Sequence, residues 1–268
     1  MDLHAVLDIV SRSDTGRVRT HNEDAVHVDA AHHRFVVLAD GMGGYNAGEV
    51  ASGMATAVLG DALARAFAKA LPGSRDAASG KLYAHAVLER EIARANGAIF
   101  DAAQSQTQYS GMGTTLIVGV FYDDSLTVAH IGDSRLYRLR GDEFQKVTRD
   151  HSLLQEQLDS GMISEEQARH SQNRNLVTRA LGIDPQVEAE IRDYEVRPGD
   201  LYLFCSDGLN DMVEDQDIAE TLAMLSANLE SCATRLIDMA NDNGGRDNVS
   251  VILVKVKKAY AEKRGGWF

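Results

Sequence analysis

Three apolar runs of this chain end on an aspartate, FVVLAD at Asp40, VAHIGD at Asp133 and LYLFCSD at Asp207, and a fourth aspartate, Asp247 in GGRD, stands immediately before NVSVILV. Runs of this length and character read as buried strands. A single aspartate at a strand end is ordinarily a turn former whose side chain bonds nearby amides. Four in equivalent places set a stronger condition. If their strands lie side by side, the carboxylates converge at one sheet end, where mutual repulsion raises their pKa values unless a cation neutralises them. Hard oxygen donors of this kind select Mg²⁺ or Mn²⁺. The glycines after Asp40 and Asp207 fit the same picture, because a residue without a Cβ lets the backbone turn sharply and bring a carbonyl against an ion.

Strands are predicted at 5–10, 34–39, 114–121, 125–131, 134–139, 200–205 and 248–256. Between them, residues 47–71 place Val50, Met54, Val58, Leu59, Leu63 and Phe67 on a helical period, and Leu88, Ile92, Ala95 and Ile99 repeat it. Asn46 with Glu49 three residues later predicts a capping box at the start of the first helix. Further helices are predicted at 152–160, 164–170, 215–225 and 229–242, and RLRGDEFQKV predicts a hairpin turning at Gly141-Asp142. Antiparallel strands mixed with helix pairs imply α+β layers rather than a βαβ repeat. With 3 prolines and no Ser/Gly-rich linker, nothing marks a domain boundary, and the least patterned polar segment is 150–180.

Composition removes several function classes. A length of 268 residues with 44% apolar content can bury a substantial core. Forty acidic residues against 27 basic ones, a formal charge of −13, argue against a nucleic-acid partner and favour cation binding where carboxylates cluster. Cys205 and Cys232 form no C-x-x-C, so a disulfide scaffold or thiolate zinc site is not indicated and a reduced cytoplasm fits. The stretch MDLHAVLDIV has no basic n-region and no 18 consecutive apolar residues occur, so neither export nor a membrane span is expected. The G-x-x-x-x-G-K-[ST], G-x-S-x-G and C-x₅-R signatures are all missing. His21, His130 and His151 lie near the aspartate motifs without metal-ligand spacing such as H-E-x-x-H, so core or hydrogen-bonding roles are expected for His130 and His151.

Eight blocks, taken in order, carry a family resemblance: RTHNEDA (19–25), ADGMGGYNAGE (39–49), GMGTT (111–115), HIGDSRLY (130–137), TRDHS (148–152), VTRALG (177–182), CSDGLND (205–211) and GGRDNVSVILV (244–254). Over residues 12–256 the chain resembles the bacterial form of the metal-dependent PPM/PP2C protein serine/threonine phosphatases. The resemblance implies a four-layer α-β-β-α sandwich, two antiparallel sheets flanked by antiparallel helix pairs. It would occupy residues 1–258, with a substrate-facing flap at about 150–180 and a frayed tail at 259–268 that ends in Trp267 and Phe268.

For the site, the resemblance implies two or three Mn²⁺ or Mg²⁺ ions. Asp40 would bridge two of them, the Gly41 carbonyl would bind one, and Asp207 and Asp247 the other. Glu23 and Asp24 would ligate directly or through water, and Asp133 with Asp207 would hold a third ion. Arg19 would clamp the substrate phosphate, a task suited to a guanidinium fork. A water between the metals would then attack phosphorus in line, without a phospho-enzyme. Met42 stands where eukaryotic members carry a histidine, which leaves the leaving-group acid unassigned, with metal-bound water the preferred candidate; Tyr45 stands where many bacterial relatives have histidine. A monomer acting on phosphorylated proteins and opposing a Ser/Thr protein kinase is expected. The competing readings are a non-catalytic phosphoprotein or metal binder, and a specialised phosphatase acting on an anti-sigma-factor antagonist.

Overall fold

In the computed structural model, which describes residues 2–44, 47–169 and 176–261, the apolar runs assemble into two antiparallel sheets. The chain runs β1 (Leu7–Asp14), β2 (Asp24–Val28), β3 (Phe35–Met42), α1 (Ala47–Lys69), α2 (Tyr83–Ser105), β4 (Gly113–Thr114), β5 (Leu116–Tyr122), β6 (Ser125–Ile131), β7 (Arg135–Arg140) and β8 (Glu143–Lys146). It continues through α3 (Leu153–Asp159), α4 (Glu165–Arg169), β9 (Glu190–Glu195), β10 (Leu201–Cys205), α5 (Asp207–Asn210), α6 (Asp215–Leu225), α7 (Leu229–Asp242) and β11 (Val249–Val256). One sheet has the order β1-β11-β10-β7-β8; the other is β2-β3-β5-β6-β9, with β4 paired to β3.

Three apolar layers hold the stack together. Leu38, Ile117, Phe121, Leu136, Phe204 and Ile252 fill the space between the sheets. Val37, Leu59, Leu63, Leu88, Ile92 and Val118 join α1 and α2 to the outer face of the second sheet. Leu203, Ile218, Leu222, Leu236, Val251 and Leu253 join α6 and α7 to the outer face of the first. Alternate residues of one strand thus enter different layers, Val37 towards helices and Leu38 towards the opposite sheet. Burial on both faces is why the central strands read as continuous apolar runs. The α-β-β-α sandwich is the architecture expected from the sequence.

The predicted strands are present with ends shifted by a few residues, and so are the helices at 153–159, 165–169, 215–225 and 229–242. The first helix ends at Lys69 rather than 71. Strands β2 and β9, which no prediction covered, are the two edges of the second sheet. An edge strand keeps one side in water, so DAVHV and EIRDYE lack an apolar run. The expected capping residue Asn46 and Tyr45 lie outside the described residues, as do 170–175 of the expected flap and 262–268 of the expected tail.

Both ends of the flap segment are pinned. Ser152 caps α3 by accepting the Gln155 N–H and bridges to Val177, while the Thr178 N–H donates to the His151 carbonyl at 2.8 Å and Thr114 pairs with Leu181. Tyr260, within the expected tail, is buried between the sheets, and its N–H donates to Asp124 at 2.6 Å. Among the described residues no helix is long and apolar enough to cross a membrane.

Candidate metal centre

The antiparallel register places Asp24 of β2 directly opposite Asp40 of β3. Asp133 occupies the turn from β6 into β7, Asp207 opens α5 where β10 ends, and Asp247 precedes β11. Both sheets therefore deliver carboxylates to the same end of the sandwich. Asp40 is in electrostatic reach of Asp24, Asp207, Asp133 and Asp247 together, which is the convergence that the strand-end pattern requires.

Burial is the main force on these groups. It pushes the carboxyls of Asp40 and Asp207 well above the ordinary range, with their aspartate neighbours adding to the rise. Asp24 is pushed up to about 6 by burial, against the opposing pull of the nearby Ser250 and Ser206 hydroxyls. The Ser206 Oγ donates to its Oδ2 at 2.8 Å. Asp133 is also pushed up to about 6, by burial and then by the charge of Asp150. Compensating positive charge is scarce. Arg19, half exposed at the rim, donates from Nη2 to Asp247 Oδ2 at 2.6 Å. Asp24 Oδ1 is buried with no hydrogen-bond partner among the described residues. A buried acceptor without a donor, inside a group of carboxylates that repel one another, is the environment that a hard divalent cation satisfies.

Main-chain packing sets the spacing. A Cβ on Gly41 would lie 2.2 Å from the Gly48 carbonyl oxygen, and one on Gly208 would lie 1.9 Å from the Asn248 carbonyl oxygen. The first contact presses the end of β3 against α1, and the second presses the Asp207 turn against the Asp247 turn. The GMGTT block fixes Asp40 itself. Thr115 N–H and Thr114 Oγ1 donate to the Asp40 carbonyl at 2.8 and 2.9 Å, and Thr115 Oγ1 accepts the Asp40 N–H at 3.1 Å.

Glu23 and Asp24 part company. Asp24 points into the cluster, whereas Glu23 stands nearer the rim, raised by burial and lowered by Arg19, with Asp247 and Glu49 also acting on it. Residues not singled out by sequence reasoning, Thr115, Ser206, Asn248 and Ser250, hold the site in place. All sit inside the blocks quoted above, but a hydroxyl or amide beside an acidic motif gives no sequence signal of what it bonds. Next to the cluster a cavity of about 520 Å³, lined by Asp133, Asp207, Asp211, Arg135, Asp150 and Ser152, opens towards the base of the flap segment. The Arg135 guanidinium bonds Asp150 from both Nε and Nη2.

Among the described residues, the set of three possible ligands lying within 4.8 Å of one another is a different one, His130, His151 and Glu190. The aspartates are thus more widely spaced than the ligands of a single ion, and Asp247 is turned towards Arg19. The hydrogen bonds of the histidines specify their tautomers. His130 Nε2 meets the Arg149 carbonyl at 2.9 Å and must donate; His151 Nδ1 receives the Gly132 N–H at 3.2 Å and must accept. His151 therefore presents an N–H, not a lone pair, from its Nε2 towards Glu190 Oε2, 3.7 Å away. The two rings are stacked at 4.7 Å, so their in-plane lone pairs do not converge. These are hydrogen-bonding core histidines, as expected.

The chain matches the family model described as Protein phosphatase 2C over residues 15–243. It is 39% identical over 251 residues to the serine/threonine protein phosphatase PstP of Mycobacterium tuberculosis, an alignment that covers 94% of this chain and 45% of PstP, so the chain spans about half the length of that relative. It is 37% identical over 249 residues to the serine/threonine phosphatase stp of Listeria innocua, covering 91% of this chain and 94% of stp. The crystal structure of the PstP catalytic domain in complex with two manganese ions superposes with a TM-score of 0.80 at 39% identity, covering 94% of this chain and 99% of that one.

Proposed function

Because the chain belongs to the protein phosphatase 2C family, we propose that it is a metal-dependent protein phosphatase that hydrolyses phosphoserine and phosphothreonine in proteins, in the cytoplasm, as a monomer opposing a Ser/Thr kinase. The observation that carries this reading is the convergence of Asp24, Asp40, Asp133, Asp207 and Asp247 at one end of the sandwich, with Asp24 Oδ1 buried and unpartnered.

In this reading Asp40, the Gly41 carbonyl, Asp207 and Asp247 hold two ions, Asp24 and Glu23 hold those ions or their waters, and Asp133 with Asp207 holds a third. When bound, Mn²⁺ or Mg²⁺ supplies an acidified water and positive charge for the phosphoryl oxygens. Arg19 binds the phosphate from the rim; a guanidinium has five N–H donors, so a bond from Nη2 to Asp247 leaves a fork for phosphate oxygens. Thr114 and Thr115 keep Asp40 in place by bonding its main chain. No cysteine nucleophile competes, since burial pushes the Cys205 thiol far up. Met42 has no proton to give, which makes water the preferred candidate for protonating the leaving hydroxyl.

The test is phosphate release from a phosphothreonine peptide with and without Mn²⁺. The wild-type protein is expected to need the metal, and Asp207→Asn to lose turnover while keeping the wild-type circular dichroism spectrum. Wild-type-like turnover in Asp207→Asn would overturn the reading.

A further inference from the structure

The segment between β1 and β2, residues 15–23, carries both Arg19 and Glu23 yet contains no helix or strand. An arginine on irregular chain is a poor clamp unless something fixes the loop. The Arg17 and Val18 N–H groups donate to the Gly245 carbonyl at 2.8 and 3.2 Å, and one buried side chain ties the two ends of the loop together. Asn248 Nδ2 donates to the Thr15 and His21 carbonyls, both at 2.9 Å, and its Oδ1 accepts the Glu23 N–H at 2.7 Å. All the hydrogen-bonding capacity of its NH₂ group, and one acceptor position of its oxygen, is spent on this loop. The bonds fall on both sides of Arg19. The same residue donates its backbone N–H to Asp247 Oδ1 at 2.8 Å, and Asp247 in turn holds Arg19 through Oδ2. Its carbonyl is the one against which Gly208 packs.

We propose that Asn248 is the positioning residue for Arg19: its amide holds the 15–23 loop in the conformation that presents the guanidinium to the substrate phosphate. The inference rests on the phosphatase reading above. Aspartate in this place would keep an acceptor for the Glu23 N–H but offer no donors to the two carbonyls; alanine would offer neither. Loss of either donor leaves a carbonyl of the loop unpaired and removes one of the loop's anchors. Because Asn248 itself touches no phosphate, its removal acts through the loop that it holds.

The experiment measures KM and kcat on a phosphothreonine peptide, at saturating Mn²⁺, for the wild type, Arg19→Ala, Asn248→Ala and the double variant. Arg19→Ala is expected to raise KM by about tenfold or more, the loss of a charged hydrogen-bonding group. Asn248→Ala is expected to raise KM in the same direction, with a smaller change in kcat and no shift in the Mn²⁺ half-saturation. In the Arg19→Ala background it is expected to cost less than about twofold further, since a residue acting through Arg19 has nothing left to position. Additive effects, an unchanged KM, or a shifted Mn²⁺ half-saturation would overturn the proposal. Should Asn248→Ala not fold, Asn248→Asp carries the same comparison, and if neither folds Asn248 is a folding residue and the proposal fails. Failure of the phosphatase reading is distinguishable, because the wild type would then release no phosphate.

Discussion

Asp24 on β2 and Asp40 on β3 face each other across an antiparallel pair, both half-buried and both carboxylates. Like charges in directly opposed positions destabilise a sheet, and here no lysine or arginine of the two strands stands between them. The next strand of the sheet, β5, is apolar and buried throughout. Site and scaffold therefore oppose each other in the metal-free protein.

That opposition has a pH signature. Asp24 and Asp133 rise from 3.8 to about 6 on folding, so between those values the native metal-free protein holds more protons than the unfolded chain. Stability is then largest at the acid side of this window and falls as pH rises through about 6. With EDTA present, Tm measured by calorimetry is expected to drop across that window. Excess Mn²⁺ at neutral pH is expected to restore it, by about 2.7 kcal/mol at a hundredfold excess over Kd. An EDTA-insensitive Tm would contradict this.

Asp40→Asn separates stability from function. Removing the charge at the centre of the cluster relieves the repulsion from Asp24, Asp133, Asp207 and Asp247, so the Tm in EDTA at neutral pH is expected to rise or hold. Mn²⁺-dependent turnover is expected to fall by about a thousandfold or more, about 4 kcal/mol of barrier. The pair of measurements, thermal scan and peptide assay, distinguishes a lost ligand from a damaged fold.

The four strand-end aspartates and the central strands were legible because a strand buried on both faces writes a continuous apolar run, and its last residue stands out when charged. The helix pair α1 and α2 was legible for the same reason at helical period. Strands β2 and β9 were not, because edge position gives them polar residues. The bonds from Thr115 to Asp40 and from Asn248 to Glu23 span 75 and 225 residues of sequence; no local pattern encodes them.

Gly208→Ala is expected to damage the site through its backbone. The added methyl would stand 1.9 Å from the Asn248 carbonyl oxygen, forcing the Asp207 and Asp247 turns apart. Overpacking of this kind costs about 1–3 kcal/mol, and Mn²⁺ affinity is expected to weaken with it. Gly97→Ala is the control: within α2 nothing lies within 4 Å of its added Cβ, and helix propensity favours alanine by about 0.8–1.0 kcal/mol. Urea unfolding of the two variants is expected to give opposite signs.

His151 supplies a pH dependence of the reverse sense. Burial, with His130 and Arg179 beside it, lowers its pKa from 6.5 to about 4 against the opposing pull of Glu190. The native protein therefore keeps this ring neutral while the unfolded chain takes up a proton, and stability is lost as pH falls from 6.5 towards about 4. A proton on Nδ1 would also set it against the Gly132 N–H that it now accepts, beside Asp133 and at the residue whose carbonyl receives Thr178 N–H. His151→Asn removes the titration and can retain an acceptor for Gly132. The carboxylate cluster is common to both proteins, so the difference between their Tm profiles in EDTA isolates the histidine. As pH falls from 6.5 to about 4, the variant's Tm is expected to gain relative to the wild type's, and parallel profiles would show that His151 does not titrate with folding.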